Sequence, residues 1–271
     1  MKPLPMLSYE FCALTDTGRV RSNNEDAVAI HETAQMVILA DGMGGYNAGE
    51  VAAGMAITYI GTEMVRWLQG DGSAASPSDV RHALEACVDN ANHAILGASM
   101  SNPQYLGMGT TLVVGVFRDD RLILGHIGDS RCYRWREGLL RQITRDHSWL
   151  QEQIDLGLLT PAQAAVSGQR NLVTRALGVD VSVHIEINEF PVEPGDLFIL
   201  CSDGLTDMLS DEDLAELARM PIALQDKAAR MVAMANAMGG RDNISVVLAQ
   251  TQLAQDAKKR GGLMARLLRT S

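Results

Sequence analysis

The sequence predicts an α+β fold with much antiparallel pairing. Three observations lead there: short runs apolar at every position towards both ends of the chain, two long apolar stripes at four-residue spacing, and a hairpin pattern in the middle. Met36-Val37-Ile38-Leu39-Ala40 is the first apolar run and reads as a strand buried on both faces. Asp41-Gly42 follows it, and an Asp leaving such a strand is rigidly held. We expect Gly42 to let the backbone turn sharply there, so that the carboxylate faces a cavity. Ala52, Ala56, Ile60, Met64 and Leu68 then form one helix face, and Val80, Leu84, Val88, Ala91 and Ile95 a second, with Gly70 to Pro77 as linker. Leu112 to Phe117 and Arg121 to Ile127 read as a hairpin turning at Asp119-Asp120. A third helix spans Ser148 to Gly157, and Thr160-Pro161 opens another with Thr as cap and Pro in the first position. Leu197-Phe198-Ile199-Leu200-Cys201 repeats the buried strand and leads into Ser202-Asp203-Gly204. Ser210 with Asp213 is a capping box for a helix to Ala218, Pro221 separates it from a helix ending at Met238, and Ile244 to Ala249 is a last strand.

The 271 residues are enough for one large domain, and 46% apolar with 21% charged residues describe a folded globular chain. Aromatics make up only 4%, so aliphatics and the 14 Met must fill the core. A net charge of −10 argues against a nucleic-acid partner, which requires a basic footprint. Cys12, Cys87, Cys132 and Cys201 form no C-x-x-C pair, as expected of buried free thiols in a reducing cytoplasm. Met1 to Tyr9 hold two prolines and no apolar stretch of a secretory signal. Ala91 to Phe117 lack charge, but Ser99 to Gln104 break the run into pieces too short to span a bilayer.

Chemistry concentrates in short acidic motifs far apart in the chain: Asn24-Glu25-Asp26, Asp41-Gly42-Met43-Gly44-Gly45, Gly128-Asp129-Ser130-Arg131, Ser202-Asp203-Gly204 with Asp207, and Arg241-Asp242-Asn243. Acids brought together from distant segments repel one another unless a cation sits among them, and hard oxygen donors select hard divalent ions. A carboxylate-built metal site is therefore the leading reading. The glycines at 42, 44, 45 and 49 do not make a phosphate loop: Glu50-Val51 stands where Lys and a hydroxyl belong, and Asn47 replaces the third glycine of a dinucleotide fingerprint. Adjacent acids such as Glu25-Asp26 are ordinarily a solvated loop, but Arg21 lies close by, and its fork of donors suits phosphate oxygens.

Taken in order, Arg21 to Asp26, Asp41 to Gly45, Gly109-Thr110-Thr111, Gly125 to Arg131, Ser202 to Asp207 and Arg241 to Asn243 resemble the signature of the metal-dependent protein phosphatases of type 2C. The resemblance covers about residues 8 to 250. It implies a central sandwich of two antiparallel β-sheets flanked by pairs of α-helices. It also implies hydrolysis of phosphoserine or phosphothreonine in proteins by a water activated at two Mn²⁺ or Mg²⁺ ions. By this resemblance Asp41 bridges both ions and Gly42 offers its carbonyl. Asp203 and Asp242 hold one ion, Glu25 and Asp26 act around the other, and Asp129 and Asp207 belong to a weaker third site. Arg21 matches the phosphate-binding arginine, and Asp26 orients or deprotonates the attacking water.

Met43 stands where many eukaryotic members carry a His proposed as general acid, and Asp-Gly-Met-Gly-Gly resembles the bacterial branch. His126 and His147 read as structural instead. Residues 144–178 resemble the flap over the bacterial site, with Ser167-Gly168-Gln169 where relatives commonly have His-Pro, and flap residues are expected to set selectivity among phosphopeptides. The expectations are one domain over 1–251, a monomer, phosphoprotein substrates, an opposing Ser/Thr kinase as functional partner, and no nucleic acid. The other class of function considered is a catalytically weak module of the same fold that holds a phosphoprotein, but every matched acid is intact. Residues 252–271 carry Lys258, Lys259, Arg260, Arg266 and Arg269 against Asp256, with Leu263, Met264, Leu267 and Leu268 able to form an apolar face. We expect a solvated tail there in preference to a membrane contact.

Overall fold

The computed structural model describes residues 6–45, 48–165, 167 and 172–254. The expected tail from residue 255 onward, Asn47 and Gly168 to Asn171 of the flap lie outside the described residues. The elements are β1 (Leu7–Asp16), β2 (Asp26–His31), β3 (Met36–Met43), α1 (Ala48–Gln69), α2 (Pro77–Ser101), β4 (Gly109–Thr110), β5 (Leu112–Arg118), β6 (Arg121–Ile127), β7 (Arg131–Arg136), β8 (Leu139–Gln142), α3 (Trp149–Asp155), α4 (Pro161–Ala165), β9 (Glu186–Pro191), β10 (Leu197–Cys201), α5 (Asp203–Thr206), α6 (Asp211–Arg219), α7 (Leu224–Ala237) and β11 (Ile244–Leu253).

Two antiparallel sheets stack face to face. One runs β1-β11-β10-β7-β8; the other runs β2-β3-β5-β6-β9, with β4 joined to β3. The wholly apolar runs follow from this layering, because both faces of the central strands are buried. In β3, Met36, Ile38 and Ala40 meet α1 and α2, while Val37 and Leu39 point into the space between the sheets. In β10, Phe198 and Leu200 enter that same space, and Leu197, Ile199 and Cys201 meet α6 and α7 on the other side. The order of layers is thus helix pair, sheet, sheet, helix pair, as the resemblance implied. Phe117 fills the middle, edge-on to Phe198 at 5.5 Å and tilted against Tyr9 at 4.8 Å.

The helix boundaries follow local chemistry. Ser76 and Asp79 form a capping box on α2 with Pro77 in the first turn, and Ser210 and Asp213 do the same for α6. The hairpin β5–β6 has Arg118 opposite Arg121, and Asp119 takes the left-handed conformation at its turn. The last strand continues beyond Thr251, where we placed the domain's end, to Leu253 opposite Leu7, because β1 extends the ladder. Asp26 begins β2, Asp41 lies near the end of β3, Asp129 follows β6, Asp203 follows β10 and Asp242 precedes β11. All five therefore sit at one end of the sandwich, where Ser202, at the end of β10, hydrogen-bonds Asp26 of the other sheet.

Candidate metal centre

Asp26 and Asp41 stand directly opposite each other on β2 and β3. The expected sharp turn at Gly42 does not occur, because Thr110 and Gly109 of β4 pair with Gly42 and Met43 and carry β3 past Asp41. Gly42 serves close approach instead: a Cβ there would lie 2.1 Å from the Gly49 carbonyl oxygen and 2.6 Å from that of Glu25. The same logic holds at Gly204, where a Cβ would lie 2.0 Å from the Asn243 carbonyl oxygen. These contacts press the start of α1 onto the Glu25 segment and the start of α5 onto the Asp242 segment.

The acids are held by a shell of hydroxyls and one amide that sequence reasoning passed over. Ser202 Oγ donates to Asp26 Oδ2 at 2.7 Å, and the Ser245 amide donates to Ser202 Oγ at 3.0 Å. The Asp41 amide donates to Thr111 Oγ1, which is 2.8 Å from Ser130 Oγ, and Thr110 Oγ1 donates to the Asp41 carbonyl oxygen. Asn243 ties three segments together. Its Oδ1 accepts from the Glu25 amide at 2.8 Å, and its Nδ2 donates to the carbonyl oxygens of Thr17 and Asn23. Thr110-Thr111 and Asn243 did stand inside quoted motifs, so their position beside the acids was the available signal.

Electrostatics show how tightly the group converges. Burial, then the charges of Asp26 and Asp203, pushes Asp41 well above the usual carboxylate range, and burial, then Asp129 and Asp242, does the same to Asp203. Burial pushes Asp26 up to about 6, with Asp242 adding and the Ser245 and Ser202 hydroxyls opposing. Burial and then Asp146 push Asp129 up to about 6. Glu25 is raised more by burial than Arg21 lowers it. Asp26 Oδ1 is buried and has no hydrogen-bond partner among the described residues. An orphaned carboxylate oxygen among mutually repelling acids, with only oxygen donors around it, fits hard divalent cations.

Asp129, Asp203 and Asp207 border a cavity of about 290 Å³, walled on its other side by Leu150 and Ile154 of α3. Arg131 enters the same cavity but is bound to Asp146, with contacts of 2.7 to 3.1 Å. Arg21 is half exposed and donates to Asp242 Oδ2 at 2.8 Å, which keeps the guanidinium charged at the mouth of the centre. His126 and His147 make no hydrogen bond to the clustered acids among the described residues. His126 Nε2 donates to the Arg145 carbonyl oxygen, His147 Nδ1 accepts from the Gly128 amide, and burial, then His126, pushes His147 down to about 4. Glu186 completes a group of possible ligand atoms within 4.8 Å of one another, yet the two rings are stacked 11° from parallel. Stacked rings point their in-plane lone pairs into separate planes, so one ion cannot take both nitrogens in this arrangement.

The family model for protein phosphatase 2C matches residues 17–254. The chain belongs to the protein phosphatase 2C family. Among the members of this family that it resembles is the serine/threonine phosphatase stp of Listeria monocytogenes, 34% identical over 247 residues, which are 90% of this chain and 96% of that one. It is 40% identical over 244 residues to the serine/threonine protein phosphatase PstP of Mycobacterium tuberculosis, spanning 90% of this chain but 45% of that protein. The chain thus spans about half the length of the mycobacterial relative. A crystal structure of the catalytic domain of PstP in complex with two manganese ions superposes with a TM-score of 0.80 at 37% identity, covering 91% of this chain and 99% of that one. The two-sheet, two-helix-pair architecture described above is therefore that of the protein phosphatase 2C family.

Proposed function

We propose that this protein is a metal-dependent serine/threonine phosphatase that hydrolyses phosphomonoesters on proteins at the carboxylate centre. The observation that carries the reading is the convergence of Asp26, Asp41, Asp129, Asp203 and Asp242, each of which feels the charge of others in the set. The manganese-containing relative supports two Mn²⁺ or Mg²⁺ ions here. Asp41 and the Gly42 carbonyl would help to hold them, with Asp203 and Asp242 at one ion and Glu25 and Asp26 around the other, and Asp129 and Asp207 would hold a weaker third. When bound, such ions acidify water and screen the charge of an incoming phosphate.

The rest of the chemistry belongs to the chain. Arg21, charged and exposed, gathers phosphate oxygens with its fork of donors. Asp26 Oδ1, without a hydrogen bond from any described residue, orients the attacking water and accepts its proton, while Ser202 fixes the other oxygen of that carboxylate. Met43 cannot protonate the leaving serine or threonine oxygen, and His147 is held neutral by burial, so solvent water supplies that proton. From the flap segment, Leu150 and Ile154 of α3 and Pro161 and Ala164 of α4 line the cavity beside Asp129 and Asp203, where a flap would act on the substrate. Free thiols support a reducing cytoplasmic setting, and no helix among the described residues is long and apolar enough to cross a membrane. A monomer whose single domain takes in β11 to Leu253, working against a Ser/Thr kinase, completes the reading.

The test is hydrolysis of p-nitrophenyl phosphate and of a phosphothreonine peptide with and without Mn²⁺. Turnover that appears with Mn²⁺ and disappears with chelator is expected. A protein that binds the phosphopeptide without turning it over would instead be a regulatory module of the same fold.

Proton linkage gives a second expectation. Asp26 and Asp129 rise from an unfolded value of about 3.9 to about 6, so their contribution to metal-free stability is full below about pH 4 and is lost as pH rises through about 6. Cations bind the ionised form. The gap in melting temperature between Mn²⁺-loaded and metal-free protein should therefore widen from pH 5 to pH 7.5, and a gap independent of pH would contradict the linkage.

A further inference from the structure

One face of the β7–β8 hairpin carries a set of arginines that the phosphatase chemistry does not use. Arg134 lies directly opposite Arg141, and Arg136 opposite Leu139, so these four side chains share a face. They line a cleft of about 340 Å³ together with Glu137. Arg136 is neutralised by Asp196, at 2.6 and 2.7 Å, and by Glu193. The guanidinium groups of Arg134 and Arg141 make no ion pair or hydrogen bond to a described residue.

Like charges directly opposite on paired strands weaken the pairing. The chain has no shortage of acids to relieve this, with 33 Asp and Glu against 23 Lys and Arg. A charge on an outermost strand also protects its open edge from unwanted pairing, which would account for Arg141 on β8. It does not account for Arg134, because β7 is enclosed between β10 and β8. Nor does it fit Leu139, which is 62% exposed on that same edge strand. Two unpaired guanidinium forks, an exposed leucine and a free strand edge together match an extended acidic peptide. Its backbone can add to β8 while its carboxylates meet the arginines.

We propose that this hairpin face is a docking strip for an acidic segment of the phosphoprotein substrate, an assignment that rests on the phosphatase reading above. Arg134 lies five residues along the chain from Asp129, about 17 Å at about 3.3 Å per extended residue. An acidic run about five residues from the phosphorylated side chain would therefore reach it. Beyond β8 the chain passes through Ile143 to Thr144 and on to α3, which lines the cavity at Asp129 and Asp203.

The experiment compares, in the full chain with Mn²⁺, phosphothreonine peptides carrying three Glu about five residues before or after the phosphate with counterparts carrying Gln. One acidic peptide should show a KM about tenfold below that of its Gln counterpart, an advantage that shrinks as salt rises. The advantage should vanish in R134Q/R141Q and reverse in R134E/R141E, with kcat on p-nitrophenyl phosphate unchanged. Equal KM values for acidic and neutral peptides in the parent protein would overturn the strip, as would an acidic preference that survives both double variants. Arginine-dependent capture of a single-stranded oligonucleotide without capture of the acidic peptide would overturn it too. If no phosphate ester is turned over, the phosphatase reading fails by itself, and fluorescence anisotropy with the unphosphorylated acidic peptide still decides the strip.

Discussion

Replacing Asp41 with Asn is expected to lower Mn²⁺-dependent turnover of p-nitrophenyl phosphate by roughly a thousandfold or more. The same change should raise the melting temperature of the metal-free protein. Asp41 faces Asp26 across β2 and β3 and feels Asp203, Asp129 and Asp242 as well, so its charge is crowded by four other acids. Removing that charge relieves repulsion in the empty protein and, on the proposed reading, would deprive the cations of a ligand. Cation chemistry contributes several kcal/mol to such reactions, and about 1.36 kcal/mol corresponds to a factor of ten in rate. Asp203→Asn should behave in the same direction, since burial and neighbouring acids also raise its carboxyl. Steady-state kinetics with paired melts in chelator and in Mn²⁺ make the check. Lost activity together with a lower metal-free melting temperature would mean that Asp41 supports the fold instead of a cation.

Asn243→Leu should be nearly as damaging for a different reason. The Asn243 amide satisfies the Glu25 amide and the carbonyl oxygens of Thr17 and Asn23, and its side chain is almost fully buried. Leucine fills similar space but leaves all three groups without a partner, at about 1–3 kcal/mol for each buried loss. A total near 3 kcal/mol at about 2–4 °C per kcal/mol predicts a fall in melting temperature of about 6–12 °C. Activity should fall with it, because the Glu25 amide precedes Asp26 and the Asn243 segment presents Asp242. A melt unchanged within about 2 °C would show that water replaces the amide at this site.

The central strands were readable because they are buried on both faces. Met36 to Ala40 and Leu197 to Cys201 need apolar side chains at every position, and Val246 to Ala249 shares the pattern. The outer strands were not. In β7 the apolar Tyr133 and Trp135 alternate with Arg134 and Arg136, and β1 mixes Glu10 and Thr15 with Phe11 and Leu14, because rim positions touch both solvent and core. Asp41, Asp203 and Asp242 were legible from the company they keep in short motifs. The roles of the hydroxyls of Ser202, Thr111 and Ser130 were not, although all three stand inside the motifs, since a buried hydroxyl that aims a carboxylate has the same local sequence as one in a loop. Gly42 was legible as a constrained residue but not for its reason. A turn and a close approach both demand glycine, and only the position of Gly49 separates them.

The acids that meet at one end of the sandwich come from both sheets: Asp26 and Asp41 from one, Asp203 and Asp242 from the other. Any ion caught among them works as a rivet through two plates, so it cannot leave without loosening the seam, and the seam cannot part without spilling the ion. Competence and durability are then set by one and the same quantity, the free divalent concentration around the protein. In a compartment starved of that ion, idle copies would be the first to open and be degraded.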